Sequence, residues 1–174
     1  MADDNTAIPT ERFTPEPNAA GAPQQTPALT INGQYIKDLS FEAPNTPQIY
    51  TVLSSEQPKI SVDIDVQAEP KSETMVEVVL RVRAEAKARD QLAYLLEMQY
   101  AGLFTINVPQ EHVGPVVLIE CPLILFPFLR RIVADITGDG GFAPLMLSPI
   151  DFASLYQQRV RAAQAAQQQP TQTA

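Results

Sequence analysis

The chain has 174 residues, with sixteen prolines, seven glycines, one cysteine and a formal net charge of −8. That length favours one domain. The acidic balance, with no Lys/Arg cluster beyond Arg130–Arg131, argues against the phosphate backbone of nucleic acid as a partner and for a basic protein surface.

Residues 1–28 hold Pro9, Pro15, Pro17, Pro23 and Pro27, four acids, one arginine and almost no large aliphatic side chains. Such a stretch cannot bury enough apolar surface to offset its ordering entropy, so a disordered tail is expected there. An acidic start without an apolar core region is not a secretory signal. Residues 29–163 are long enough for one hydrophobic core, and the Gln-rich residues 164–174 read as a second disordered tail.

The first half of the body alternates with period two. From Gln34 to Glu42, Tyr35, Leu39 and Phe41 fall on one side, with Ile36, Asp38, Ser40 and Glu42 on the other. Pro44 and Pro47 end that run, and residues 43–58 form a long excursion. A second strand sets Ile60, Val62, Ile64 and Val66 against Ser61, Asp63, Asp65 and Gln67. A third has Val76, Val78, Leu80, Val82, Ala84, Ala86 and Ala88 inward, with Glu77, Val79, Arg81, Arg83, Glu85 and Lys87 outward. The composition of residues 83–89 also suits a helix; the unbroken alternation decides for a strand. In the fourth, Leu92, Tyr94, Leu96, Met98 and Tyr100 point inward, opposite Leu95, Glu97 and Gln99, and Gly102 is expected to bend it. Short links between strands two, three and four imply an antiparallel meander.

The period then changes. His112 to Thr137 is an apolar helical region, expected to kink at Pro127 and to end at Gly138. Glu120, Arg130, Arg131 and three prolines interrupt it, so it does not span a membrane; a soluble, cytoplasmic protein is expected. Ile124, Leu125, Phe126, Phe128, Leu129, Ile132, Val133 and Ile136 occupy nearly every side of it. A helix apolar all round needs cover on both sides, and one sheet covers only one. An oligomer is therefore expected, with Leu125, Phe128, Leu129 and Ile132 at its interface. A Gly/Pro loop with Phe142, Leu145, Met146 and Leu147 follows. Asp151 can cap a last helix carrying Phe152, Leu155, Tyr156 and Val160 on one stripe. The fold class is α+β.

Catalytic chemistry finds little support. His112 has no second histidine or nucleophile motif around it. Cys121, the lone cysteine, excludes a disulfide framework or Cys-based zinc site, suits a reducing compartment and reads as a small buried hydrophobe. Gly138–Gly141 lacks the Lys–Ser/Thr of a phosphate loop. Asp63 and Asp65 lie about 7 Å apart by strand rise, the usual spacing of a solvated strand face. No enzyme activity, metal or cofactor is expected. Two surfaces remain. Asp38 and Glu42, with Leu95 and Glu97 on a matching face, form a candidate docking patch for a basic partner. The apolar residues of 43–58 and 140–149 suggest a groove for extended peptide.

Four stretches carry a family resemblance: Tyr35-Ile-Lys-Asp-Leu-Ser-Phe-Glu-Ala-Pro-Asn (35–45), Glu77-Val-Val-Leu-Arg-Val (77–82), Cys121-Pro-Leu-Ile-Leu-Phe-Pro-Phe (121–128) and Gly141-Phe-Ala-Pro-Leu-Met-Leu-Ser-Pro-Ile-Asp-Phe (141–152). In order and spacing they resemble SecB, the bacterial protein-export chaperone family. The resemblance implies a four-stranded antiparallel sheet with two main helices, assembled as a homotetramer, a dimer of dimers. It implies ATP-independent holding of unfolded precursor proteins and their delivery to SecA, the ATPase of the Sec translocon. The SecA-docking residues would be Asp38, Glu42, Leu95 and Glu97. The client groove would fall on Tyr50, Phe142, Leu145, Leu147 and Phe152. The alternative is an acidic-faced adaptor or scaffold that joins one folded partner.

Overall fold

The computed structural model describes residues 27–167. The first expected tail lies outside this range apart from Pro27 and Ala28. The second overlaps it only at 164–167, where the last helix runs past the expected boundary at 163.

Four strands, β1 (Leu29–Glu42), β2 (Lys59–Pro70), β3 (Met75–Ala88) and β4 (Gln91–Ile106), form one antiparallel sheet in the order β1-β4-β3-β2. The expected meander is its β2-β3-β4 part, and β1 pairs on the far side of β4. The excursion between β1 and β2 carries a short helix α1 (Ile49–Leu53). After β4 the chain is helical from α2 (Gln110–Pro115), through a π turn at Val116–Glu120, into α3 (Cys121–Asp139). Helix α4 (Phe152–Gln167) ends the described chain.

The alternation of β3 sets the core. Val78, Leu80, Val82, Ala84, Ala86 and Ala88 are all at most 2% exposed, so residues 83–88 are strand despite their helical composition. The alanines are small for a reason: Ile49 of α1, fully buried, packs against Ala86 and Ala88 beside Ala93 and Tyr94. On the same face Leu125, Leu129 and Val133 of α3 meet the larger residues of β3 and β4.

Three local readings change. First, a bulge between Ile36 and Asp38 leaves Lys37 unpaired. An extra residue flips everything beyond it to the other face. Tyr35, expected beside Leu39, therefore shares the outer face with Asp38, Ser40 and Glu42, while Ile36 joins Leu39 and Phe41. A second irregularity at Ala93 sets Leu92 opposite Lys87 on the outer face, though it was expected inward. Second, Glu77 and Val79 point outward but are buried, at 3% and 6% exposure. Glu77 is held by Tyr35 Oη at 2.5 Å, Lys37 Nζ at 2.8 Å and Lys71 Nζ at 3.1 Å. Third, β4 runs straight through Gly102. A Cβ there would sit 2.6 Å from the Phe104 ring and 2.8 Å from Leu125 Cδ2, so this glycine makes room for the Phe104 ring and for the close approach of α3.

The helical region also leaves α geometry at a place other than Pro127. Helix α3 continues through Pro127, and the departure from α geometry lies at Val116–Glu120, between Pro115 and Pro122. Each proline removes an N–H donor, which loosens the local ladder. Past α3, Gly141 takes φ +86, and the Gly141 and Phe142 amides donate to the carbonyls of Gly138 and Thr137. Asp151 caps α4 as expected, accepting from Ser154 N–H at 2.9 Å and Ser154 Oγ at 2.7 Å. These bonds hold its carboxyl below the usual range.

Candidate functional site

Two surfaces stand out, one on each face of the sheet. On the helical face, β2 begins before the helices cover it. Ile60 and Val62 are 44% and 42% exposed, while Val66 further along is 5%. The segment after α3 runs beside this uncovered stretch. The buried Thr137 Oγ1 anchors it: it donates to the Val133 carbonyl at 2.8 Å and accepts from Leu145 N–H at 2.9 Å. Between the two runs lies a groove of about 500 Å³, lined by Ile60, Val62 and Ile64 on one side and Leu145–Ile150 with Leu155 on the other. Met146, 61% exposed, stands at its rim.

The expected groove residues divide. Leu145 and Leu147 line it, Leu147 as a floor residue only 4% exposed. Phe152 does not reach it: the ring is 1% exposed and packs edge-on against Phe126 at 6.0 Å, so it is a core residue. Leu155, nearly one turn later, takes that place. Tyr50 and Phe142 form a separate aromatic patch with Tyr94 and Phe41. The Phe142 ring centroid lies 5.6 Å from that of Tyr50 and 5.0 Å from that of Tyr94, and Tyr50 Oη donates to the Gly140 carbonyl at 3.4 Å.

On the outer face the register brings the acidic residues together. Ser40 lies opposite Glu97 and Glu42 opposite Leu95, with Asp38 one pair further along opposite Gln99. All four candidates therefore share one patch across β1 and β4. Glu97 is paired with Arg83 of the next strand, within a chain that continues through Glu85 to Lys87. Asp38 and Glu42 have no ion-pair partner among the described residues. Asp63 and Asp65 face Arg83 and Arg81 across the β2–β3 pair, an ordinary cross-strand charge arrangement.

Helix α3 separates its own residues. Leu125 and Leu129, expected at an interface, are fully buried against this chain's own sheet, because with Val133 they form the i, i+4, i+8 stripe that meets β3 and β4. Phe128 at 43% and Leu123 at 52% are exposed, Phe128 flanking the buried stripe with its ring stacked on Tyr100 of β4 at 6.3 Å, and Ile132, one turn on, is half-buried. Arg130 Nε, on a different side of α3 from Phe128, is buried without a hydrogen-bond partner among the described residues.

Residues 22–163 match the family described as "Preprotein translocase subunit SecB". The protein-export protein SecB of Rhodospirillum rubrum is 49% identical over 151 residues, covering 87% of this chain and 91% of the relative. The chain belongs to the SecB family. The SecB of Parvibaculum lavamentivorans is 51% identical over 136 residues, covering 78% and 80%. Among solved structures, a SecB-like chaperone of Mycobacterium tuberculosis, in complex with a peptide from an antitoxin, superposes with a TM-score of 0.60 at 14% identity. That match covers 71% of this chain and 91% of the other, and it supports the fold.

SecB proteins are protein-export chaperones rather than enzymes, and this chain is of that class. Burial, the largest cause, pushes the Cys121 thiol up to about 12, far from a reactive thiolate. His112 is exposed beside Glu111. No group of metal-binding side chains occurs among the described residues, and none of their helices is long and apolar enough to cross a membrane.

Sequence reasoning missed Ile60, Val62 and Ile64 as groove residues, because alternation marks an apolar face without marking where its cover ends.

Proposed function

We propose that this chain is a cytoplasmic export chaperone that holds non-native precursor proteins in the groove between β2 and residues 145–150. A single observation carries the reading: an apolar cleft of about 500 Å³ left open beside an edge strand, with side chains such as Ile60, Val62 and Met146 facing solvent. Contiguous exposed apolar surface of this kind marks a binding site. The aromatic patch of Tyr50 and Phe142 extends the surface available to client side chains. No nucleotide is needed, since capture is burial of apolar area.

Asp38 and Glu42, with Leu95 and the Arg83-paired Glu97, are the surface offered to SecA. The family supports that partner, and a spread of acids around one half-buried leucine suits docking of a basic surface. The assembly is a homotetramer, a dimer of dimers, using the exposed apolar side chains of α3, Leu123 and Phe128, with the half-buried Ile132 beside Phe128. The test is suppression of aggregation of a reduced, unfolded model protein without nucleotide. Suppression at stoichiometric amounts supports the reading. None at any ratio leaves the acidic-faced adaptor instead.

A further inference from the structure

Strand β2 ends the sheet, so among the described residues one of its backbone edges has no strand beside it. The β2–β3 turn fixes which residues point there. Lys71 N–H donates to the Met75 carbonyl at 2.8 Å, and hydrogen-bonded and open pairs alternate along an antiparallel ladder. The β2–β3 register runs back from that pair without a shift. The odd-numbered residues of β2 therefore bond to β3, and the N–H and C=O groups of Ile60, Val62, Ile64 and Val66 point to the open edge. Arg159 of α4 gives an independent check: its Nη1 donates to the Val66 carbonyl at 2.7 Å from outside the sheet, while its Nη2 bonds the Asp65 carboxylate.

The same even-numbered residues put their side chains into the groove. From Lys59 to Ile64, then, free backbone groups and open apolar side chains run together. At Val66 both stop: the side chain is buried, and the carbonyl is occupied by the guanidinium.

We propose that Arg159 is a stop that sets how much client chain β2 accepts. The proposal rests on the groove reading above. The occupant is an extended stretch of non-native polypeptide added as a fifth strand, its main chain pairing with Ile60, Val62 and Ile64 and its alternate side chains entering the groove. Backbone pairing is indifferent to client sequence, and the groove supplies the apolar contacts. Beyond Ile64, Arg159 occupies the acceptor that the next client N–H needs. The same contact blunts the edge against pairing with another copy. Both halves of the ion pair are partly exposed, Arg159 at 42% and Asp65 at 44%, so the contact contributes little to stability. Its effect is on the footprint of the client.

The test uses the full chain and blocked peptides of alternating Val and Lys, in lengths of six, eight, ten and twelve residues, with hydrogen exchange of the β2 amides. In the wild type, affinity stops rising once Ile60, Val62 and Ile64 are paired, and the Val66 amide is not newly protected. In Arg159→Ala the affinity of the longer peptides rises further, by about tenfold for two added backbone hydrogen bonds, and protection extends to Val66. Asp65→Asn, which loosens the same contact while leaving α4 unchanged, shifts the limit in the same direction. An unchanged limit in both folded variants overturns the proposal while leaving the groove intact. A wild type that binds the peptides with no protection at Ile60, Val62 or Ile64 overturns the groove reading as well.

Discussion

Replacing Ile60 and Val62 together by threonine separates client binding from folding. Threonine keeps the β-branch, so strand propensity is retained, and it exchanges apolar reach for a hydroxyl. Both side chains are more than two-fifths exposed, so in the free protein each hydroxyl remains hydrated and the fold loses little, about 0.5 kcal/mol per site. Under a bound client the same hydroxyls are dehydrated without a partner, which costs about 1–3 kcal/mol each. The pair should therefore weaken capture by about thirtyfold or more, taking 1 kcal/mol per site as the lower bound. Calorimetric titration with a reduced, unfolded model protein measures the affinity, and thermal denaturation measures the fold. Wild-type affinity in a folded double variant would refute the reasoning, because an uncovered β2 face could not then be what the client covers.

Phe128→Glu should reduce the particle mass seen by light scattering while the protomer remains folded. Leu129→Ala should instead cost about 2–5 kcal/mol of stability by opening a core cavity; the reverse pattern would exchange their roles. Changing Asp38 and Glu42 to lysine should abolish SecA association and leave client capture near wild type. Calorimetry across a salt series tests it, and unchanged SecA affinity would remove the docking patch. The Glu77 carboxyl is held at about 2, first by Lys37 and then by Tyr35. Its folded value lies below its unfolded one, so its stabilisation is complete above about pH 5 and is lost as pH falls towards 2. Glu77→Gln should be less stable at pH 7 by about 1–3 kcal/mol and flatter across that acid window; identical melting profiles would show that the carboxylate contributes nothing.

The alternation of β2, β3 and β4 was legible because one face of each strand meets the core, and period two survives wherever pairing is regular. It failed at Lys37 and Ala93, where an unpaired residue changes parity without any mark in composition. Asp38, Glu42, Leu95 and Glu97 were grouped correctly because all four lie on the regular side of both irregularities. Helix α3 was read as apolar all round, and it is. Which apolar residues meet the chain's own sheet depends on how α3 lies on it, and apolar residues on nearly every side leave that choice open. Leu125 and Leu129 were therefore placed outside when they lie within. Phe152 was misplaced by one turn for a similar reason. A stripe gives the buried side of α4, while the depth of each residue along it depends on where Asp151 starts the helix.

Lys37 has the least conspicuous position in β1, yet chain length at that point controls what the protein displays. It is the one residue between Ile36 and Asp38 with no partner on β4. Deleting it would close the ladder between Ile36 and Asp38 and exchange the faces of everything before it relative to everything after. Tyr35 would turn towards the core, Glu77 would lose two of its partners at once, and Ile36 would stand among the acids. A change of one residue in length here alters more of the surface than most substitutions could. Tyr35 reaches Glu77 from the same face that displays Asp38 and Glu42 only because the strand carries an extra residue between Ile36 and Asp38.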